Sequence, residues 1–325
     1  MAANSETMKV NLKIKRFDPG ESGGKTWWQE YEVDIHPDST VLDSLIEVRE
    51  QNDGTLALRC ACRASICGSC GMKVNGSAKL VCKTRVVDVA PNGEQLIIEP
   101  MGNQHVVRDL VVSLDTFFDQ INRVEPYLQP SFVPEKGEYT ASNESMENLL
   151  TSMNCIMCGC CVSDCTVLEV DANFIGPAAL AKAWRFTEDP RDAKRSERLE
   201  KLNNEDGGIW DCTRCMKCVE VCPKGVAPMD RIMELREDAI AAGNTNTSGY
   251  HHTESFYNSV KKNGRLDETR LAIDSAGWTN IPRLLDLAPI GLAAMRRGKL
   301  PPVLPHKAED NQKVKDLYKR VEDED

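Results

Sequence analysis

One cysteine spacing occurs twice in this chain of 325 residues and restricts its fold more than any other feature. Cys155, Cys158, Cys161 and Cys165 form a C-x2-C-x2-C-x3-C run; Cys212, Cys215, Cys218 and Cys222 repeat it, and Pro223 follows. Thiolates so spaced suit two cubane iron–sulfur clusters, the fourth cysteine of each run serving the other cluster. That rule assigns Cys155, Cys158, Cys161 and Cys222 to one four-iron site, and Cys165, Cys212, Cys215 and Cys218 to the second. Cys160, beside Cys161, reads as a small buried side chain. The doubled spacing does not arise by chance.

A third group, Cys62, Cys67, Cys70 and Cys82, has C-x4-C-x2-C followed by a cysteine twelve positions on. Four thiolates on one short loop suit a two-iron cluster. Gly68 and Ser69 let the backbone come close to it. The competing reading is zinc, because C-x2-C pairs occur in many zinc modules; the chain would then be a zinc-stapled interaction module with no redox role. Zinc sites normally use two short pairs, whereas here one pair sits inside a longer run. Cys60 competes with Cys62 as a ligand. Three clusters in a row point to the movement of single electrons.

Fourteen cysteines are far too few for a disulfide scaffold, which needs roughly 8–10% of the chain. The start, MAANSETMKVNLK, has no apolar run, so no secretory signal is expected and the thiols stay reduced. The longest nearly apolar stretch, Leu287 to Met295, is far short of the ~20 residues of a membrane helix. The chain is expected to be soluble, or peripheral to a membrane through a partner. A formal net charge of −10 argues against nucleic acid. No Gly-rich dinucleotide fingerprint or P-loop is present, which places any flavin on another chain.

Val10, Leu12 and Ile14 alternate with polar residues, as do Tyr31, Val33 and Ile35, with Gly20 to Gly24 between: a β-hairpin. Thr40 and Asp43 form a capping box that opens a short helix through Leu42, Leu45 and Ile46. Short strands follow the Cys60–Cys70 loop around Met72–Val74, Leu80–Val81 and Leu96–Ile98. Pro126, Pro130 and Pro134 mark irregular chain. From Met146 to about Arg236 the pattern turns helical, with Ala178, Leu180, Ala183, Trp184 and Phe186 on it. The remaining residues are mixed helix and loop, and the closing VEDED reads as a solvated tail.

The stretches CRASICGSCGMKVNG with Cys82, CIMCGCCVSDC and CTRCMKCVEVCPKGVAP resemble the iron–sulfur subunit of the succinate dehydrogenase and fumarate reductase family. VVRDLVV (106–112), GPAALAKAWRF (176–186) and DPRDA support the likeness, which spans roughly residues 8–235. It implies an α+β fold. Residues 1–105 would be a plant-type [2Fe–2S] ferredoxin (β-grasp) domain, 106–145 a linker, 146–235 an all-α bacterial-type dicluster ferredoxin domain and 236–325 a C-terminal extension. By the same likeness, Cys62, Cys67, Cys70 and Cys82 hold the two-iron cluster, leaving Cys60 a free thiol. Cys155, Cys158, Cys161 and Cys222 match the middle cubane; Cys165, Cys212 and Cys218 match a third cluster. The implied partners are a flavoprotein carrying covalent FAD, which interconverts succinate and fumarate, and a membrane subunit near a quinone. The chain would sit on the cytoplasmic side of the cell membrane, peripheral through those subunits.

Departures from the family pattern matter. The usual third cluster has three irons; here Cys215 completes a four-iron set, and the added thiolate should lower the potential. Where the family has Pro, Trp and His near the quinone, this chain has Thr166, Val167, Leu168 and Glu169, then Thr213. Its tail, with HHTESF (251–256), NGRLDE and RRGKLPP, is similar to extensions of heterodisulfide-reductase-like subunits, which suggests a cysteine-rich membrane-associated partner in place of the usual anchor. A heterodisulfide- or thiol:fumarate-reductase-type complex is therefore the second enzyme reading. His251 and His252 read as surface residues, and Trp27, Trp28 and Trp184 as packing residues.

Overall fold

The computed structural model describes residues 7–20, 23–204, 206–302 and 306–324. The chain divides into two compact units, Met1–Asp238 and Ala239–Asp325.

In the first unit, strand β1 (Met8–Asp18) pairs antiparallel with β2 (Lys25–Ile35) along its whole length, from Met8 opposite Ile35 to Asp18 opposite Lys25. The period-two pattern decides which face is buried: Val10, Leu12, Ile14, Tyr31, Val33 and Ile35 point inward. Part of the expected Gly20–Gly24 turn lies outside the described residues. Strands β3 (Gly71–Val74), β4 (Ser77–Leu80) and β5 (Leu96–Glu99) complete a sheet of order β2-β1-β5-β3-β4, in which β1 and β5 run parallel. Helix Val41–Glu47 begins at the expected capping box, with Thr40 N–H donating to Asp43 Oδ2 (2.8 Å) and Asp43 N–H to Thr40 Oγ1 (3.3 Å). It buries Val41, Leu42 and Leu45 in the same core as the sheet.

Arg16 continues the inward series of β1, so a charge lies on the core face. Asp109 Oδ1 accepts from its Nε (2.9 Å), Tyr31 and Asp53 accept from Nη1 (2.6 Å each), and Asp109 also receives the N–H groups of Phe17 and Ala57. This network ties β1 to the chain on either side of the first cysteine loop.

The stretch after the sheet is less irregular than its prolines suggest. Strands β6 (Val106–Arg108) and β7 (Val111–Val112) pair, and helix Asp115–Asn122 buries Phe117 and Ile121. The longest run there without helix or strand is residues 123–142, with Pro126, Pro130 and Pro134. Beyond them come helices Leu150–Met153, Cys160–Ser163, Gly176–Thr187, Arg195–Asn204, Lys217–Glu220 and Pro228–Ala241. In DPRDA, Asp192 accepts from buried Arg198, whose guanidinium also donates to the carbonyls of Val124, Glu125 and Tyr127. That motif pins the irregular stretch onto the helices.

The second unit contains helices Ser248–Asn263, Glu268–Ala276, Ile281–Arg296 and Asn311–Glu324. Its buried residues, among those described, are small or polar: Ala239, Ser255, Ser259, Asn263, Asp267 and Ala276. The acidic end is solvated, with Val321, Glu322 and Asp323 exposed, and it continues a helix. Val314, Leu317, Tyr318 and Val321 recur at helical spacing, and Glu322 accepts from Tyr257 and Lys261. The charge run hid that period.

Candidate metal centres

The two doubled runs fold alike. Met157 and Gly159 (φ +58° and +78°) and Arg214 and Met216 (φ +59° and +65°) place left-handed residues two and four positions after the first cysteine of each run. Three of these are not glycine, a backbone cost of order 1–3 kcal/mol each that marks functional loops. Alternating right- and left-handed residues turn successive N–H groups to one side, an arrangement suited to an anionic centre. Each loop then enters a short helix, Cys160–Ser163 or Lys217–Glu220, that carries the remaining cysteines inward.

The runs cross. One cavity is lined by Cys155, Cys158, Cys161 and Cys222, with Ala178, Ala181, Pro223 and Pro228. A second is lined by Cys165, Cys212, Cys215 and Cys218, with Pro177, Phe174 and Met229. Helix Gly176–Thr187 sits beside both, and its Pro-Ala-Ala-Leu-Ala start leaves room on that side. A wider cavity of about 260 Å3 lies elsewhere, lined by Gln129, Arg198 and Lys201. Its Arg198 and Lys201 already donate to protein carbonyls and carboxylates, and no cysteine faces it.

The first group lies on the loop before β3. Cys62 Sγ accepts N–H groups from Ala64, Ile66 and Cys67 (3.3–3.4 Å), and Cys82 Sγ accepts that of Ser65 (3.3 Å). Ser69 Oγ lies 3.1 Å from Cys67 Sγ, and its donation brings the Cys67 thiol down to about 6. Burial instead pushes Cys70 up to about 12. Cys60 is half-buried against the sheet core. Cys160 is fully buried in that core, and a hydrogen bond from it draws Cys158 down to about 7.

The three groups adjoin one another. A Cβ added at Gly68 (φ +73°) would fall 2.7 Å from Cys158 Cβ, so the first loop rests directly on the second group. Cys161 and Cys218, one from each crossed set, lie near enough for charge on Cys218 to oppose ionisation of Cys161. We expect Gly68→Ala to cost about 1–3 kcal/mol, since both backbone conformation and space resist a side chain there. Thermal unfolding followed through the cluster absorbance would show it; an unchanged midpoint would mean the loop can move away freely.

Burial raises Cys155, Cys161, Cys165 and Cys218, the last to about 12. At Cys215 burial opposes ionisation too, yet donation from Thr166 and from the Lys217 N–H leaves the net shift downward. So many sunken thiols cannot ionise together without a cation among them, and a bound iron core supplies that charge. Among the described residues no three His, Cys, Asp or Glu side chains converge on a single ion. Four cysteines ringing each of two voids suit a cluster.

Three features escaped the sequence reading. Asn103 Nδ2 donates to the carbonyls of Val162 (2.8 Å) and Cys165 (2.9 Å), and Asp164 accepts the Ala78 N–H (2.9 Å), clamping the sheet to the helix that bears Cys161. Thr166 favours the Cys215 thiolate. Arg236, 5% exposed, donates to the carbonyls of Ile209 (2.8 Å), Trp210 (3.1 Å) and Cys212 (2.8 Å), holding the entry to the third cysteine loop. Burial lowers it to about 10. Arg236→Met should cost about 2–4 kcal/mol and loosen iron retention at the third site first, read by iron-to-protein ratio and unfolding midpoint. Equal loss from every site would refute the local role. Of the remaining residues, Trp184 is buried beneath Arg231, whereas Trp28 is exposed and covered only by Lys13 and Lys15. His251 and His252 lie on helix Ser248–Asn263, where His252 Nδ1 meets Ser275 Oγ (3.0 Å).

Residues 11–119 match the 2Fe-2S iron–sulfur cluster binding domain family, and residues 151–226 the 4Fe-4S dicluster domain family. A fumarate reductase iron–sulfur subunit of Mycobacterium tuberculosis is 36% identical over 230 residues, covering 70% of this chain and 92% of that protein. The chain belongs to the iron–sulfur subunits of the succinate dehydrogenase/fumarate reductase family. As such it is an electron-transfer subunit of an oxidoreductase, and the zinc-stapled module is set aside. The 8-methylmenaquinol:fumarate reductase iron–sulfur subunit of Wolinella succinogenes is 30% identical over 304 residues, covering 89% of this chain and 90% of the relative. Residues 1–238 alone fall short of that coverage, so the likeness runs into the second unit. Among solved structures, a chain of the Mycobacterium smegmatis Sdh1 complex in the apo form superposes with a TM-score of 0.67 at 26% identity, covering 74% of this iron–sulfur subunit and 99% of that chain. Among the described residues no helix is long and apolar enough to cross a membrane.

Proposed function

We propose that this subunit relays electrons between a flavoprotein subunit bearing FAD, where succinate and fumarate interconvert, and a membrane quinone reached through a membrane anchor or cysteine-rich membrane-associated subunit. Cys62, Cys67, Cys70 and Cys82 hold a [2Fe–2S] cluster. Cys155, Cys158, Cys161 and Cys222 hold a [4Fe–4S] cluster. Cys165, Cys212, Cys215 and Cys218 hold a third, also with four irons; a three-iron centre on three of them is the alternative. When bound, these clusters take up and release single electrons, dividing the two-electron chemistry of the flavin into one-electron steps. The chain's own groups fix each site: N–H donors on Cys62, Cys82 and Cys222 stabilise charge on the sulfurs, and Pro, Ala and Phe side chains keep water from the inner two.

The observation that carries this reading is the lining of the second cysteine-lined void by Cys165, Cys212, Cys215 and Cys218 together. A relative named for 8-methylmenaquinol and fumarate aligns into the second unit, which favours a quinol over a thiol or heterodisulfide at the far end. EPR with iron and acid-labile sulfide analysis of the anaerobic complex tests it: one two-iron and two four-iron signals are expected. Fewer than three centres, or zinc in their place, would overturn it.

A further inference from the structure

The second unit is built inside out. Its interior is small and polar, while Trp278, Ile281, Leu285, Ile290, Leu292 and Met295 are among its exposed residues. Along helix Ile281–Arg296, the residues Ile281, Leu284, Leu285, Ala288, Leu292 and Met295 recur at i, i+3, i+4, i+7, i+11 and i+14, one continuous apolar stripe. No residue of the helix is buried, and its principal contact is the preceding helix Glu268–Ala276. Arg283 and Asp286 occupy the opposite side, together with Ile290. Directly beyond the stripe come Arg296, Arg297 and Lys299, a local cationic cluster in a chain of net charge −10.

We propose that this helix lies flat on an anionic lipid surface and gives the subunit its own membrane contact, beyond any made through partner subunits. Sixteen residues span about 24 Å, too short for the ~30 Å hydrocarbon core, so the helix rests in the interface and does not cross. The stripe enters the acyl boundary. Arg296, Arg297 and Lys299 meet lipid phosphates, and Trp278, 68% exposed, sits at the other end where an indole anchors at headgroup level. Charge selects lipid as the occupant: an anionic bilayer attracts this cluster although the acidic remainder of the chain is repelled.

The test is co-sedimentation of the cluster-loaded, full-length chain, and of its complex, with vesicles of phosphatidylglycerol mixed with phosphatidylcholine and with vesicles of phosphatidylcholine alone. Preferential, salt-sensitive binding to the anionic vesicles is expected. Arg296→Gln with Arg297→Gln should weaken it about tenfold or more. Leu285→Ser with Leu292→Ser should weaken it at least about tenfold. These side chains are exposed, so cluster absorbance in the same samples should stay unchanged, which separates this result from the fate of the electron relay. Equal binding to both lipids, or no binding while the clusters are intact, overturns the proposal. So does a self-association, or a loss of partner subunit, that the leucine variant alone produces without any vesicle binding.

Discussion

Replacing Cys215 with serine converts the third site to a three-iron centre, and the oxidised protein then shows a low-temperature EPR signal that the parent lacks. Cys165 and Cys218 are buried and Cys212 is half-buried, so these three keep their grip; Cys215 is the exposed member and holds the outer corner. The variant loses an iron together with its thiolate, so the cluster type changes and the potential of this site shifts. Redox titration of the complex reads that shift, and quinone reduction changes with it. A three-iron signal already present in anaerobically isolated parent protein would reduce Cys215 to a bystander, despite its donors from Thr166 and Lys217. The first two sites should keep their signals in either case.

The second large effect lies away from the sulfurs. Asp109→Ala leaves the Arg16 guanidinium, 3% exposed, without the carboxylate that meets it through both Nε and Nη2, and frees the N–H groups of Phe17 and Ala57. Removing one partner of such a buried pair costs about 3–5 kcal/mol, a large part of a domain's stability. Denaturant unfolding monitored through the two-iron absorbance is the measurement, because Ala57 leads into the loop that bears Cys62 and Cys67. A loss below about 1 kcal/mol would show the pair behaving like a surface ion pair. Arg16→Met with Asp109→Leu should recover only part of the stability, since the pair then buries no unpaired charge while the N–H groups of Phe17 and Ala57 still lack their acceptor. The network also predicts an acid limit. Hydrogen bonds from Thr55, Tyr31 and Arg16 hold the Asp53 carboxyl below the usual carboxylate range. Its contribution is therefore present above the unfolded value of about 4 and lost as pH falls toward the lowered folded one.

Spacing made much of the molecule readable in advance. The paired strands follow from alternation at Val10, Leu12, Ile14, Tyr31, Val33 and Ile35, and the Thr40–Asp43 capping box is a local pattern that forms as written. Arg16 shows where such reading stops. It occupies the inward register, but its partners Asp53 and Asp109 stand 37 and 93 residues away, and nothing nearby names them. At the acidic terminus the exposed charges are plain, while the weaker helical recurrence of Val314, Leu317 and Val321 lies beneath them.

Cysteine spacing is the ground for expecting three groups of four thiols, and the two cysteine-lined voids each draw on both doubled runs. Their order in space is another matter. Gly68 resting on Cys158, Asn103 and Asp164 fastening sheet to helix, and Arg236 holding the last loop by three carbonyls all join segments far apart in the chain. Contacts of that kind depend on packing between elements, which no local pattern encodes, and they determine whether separate cysteine groups become a continuous electron path.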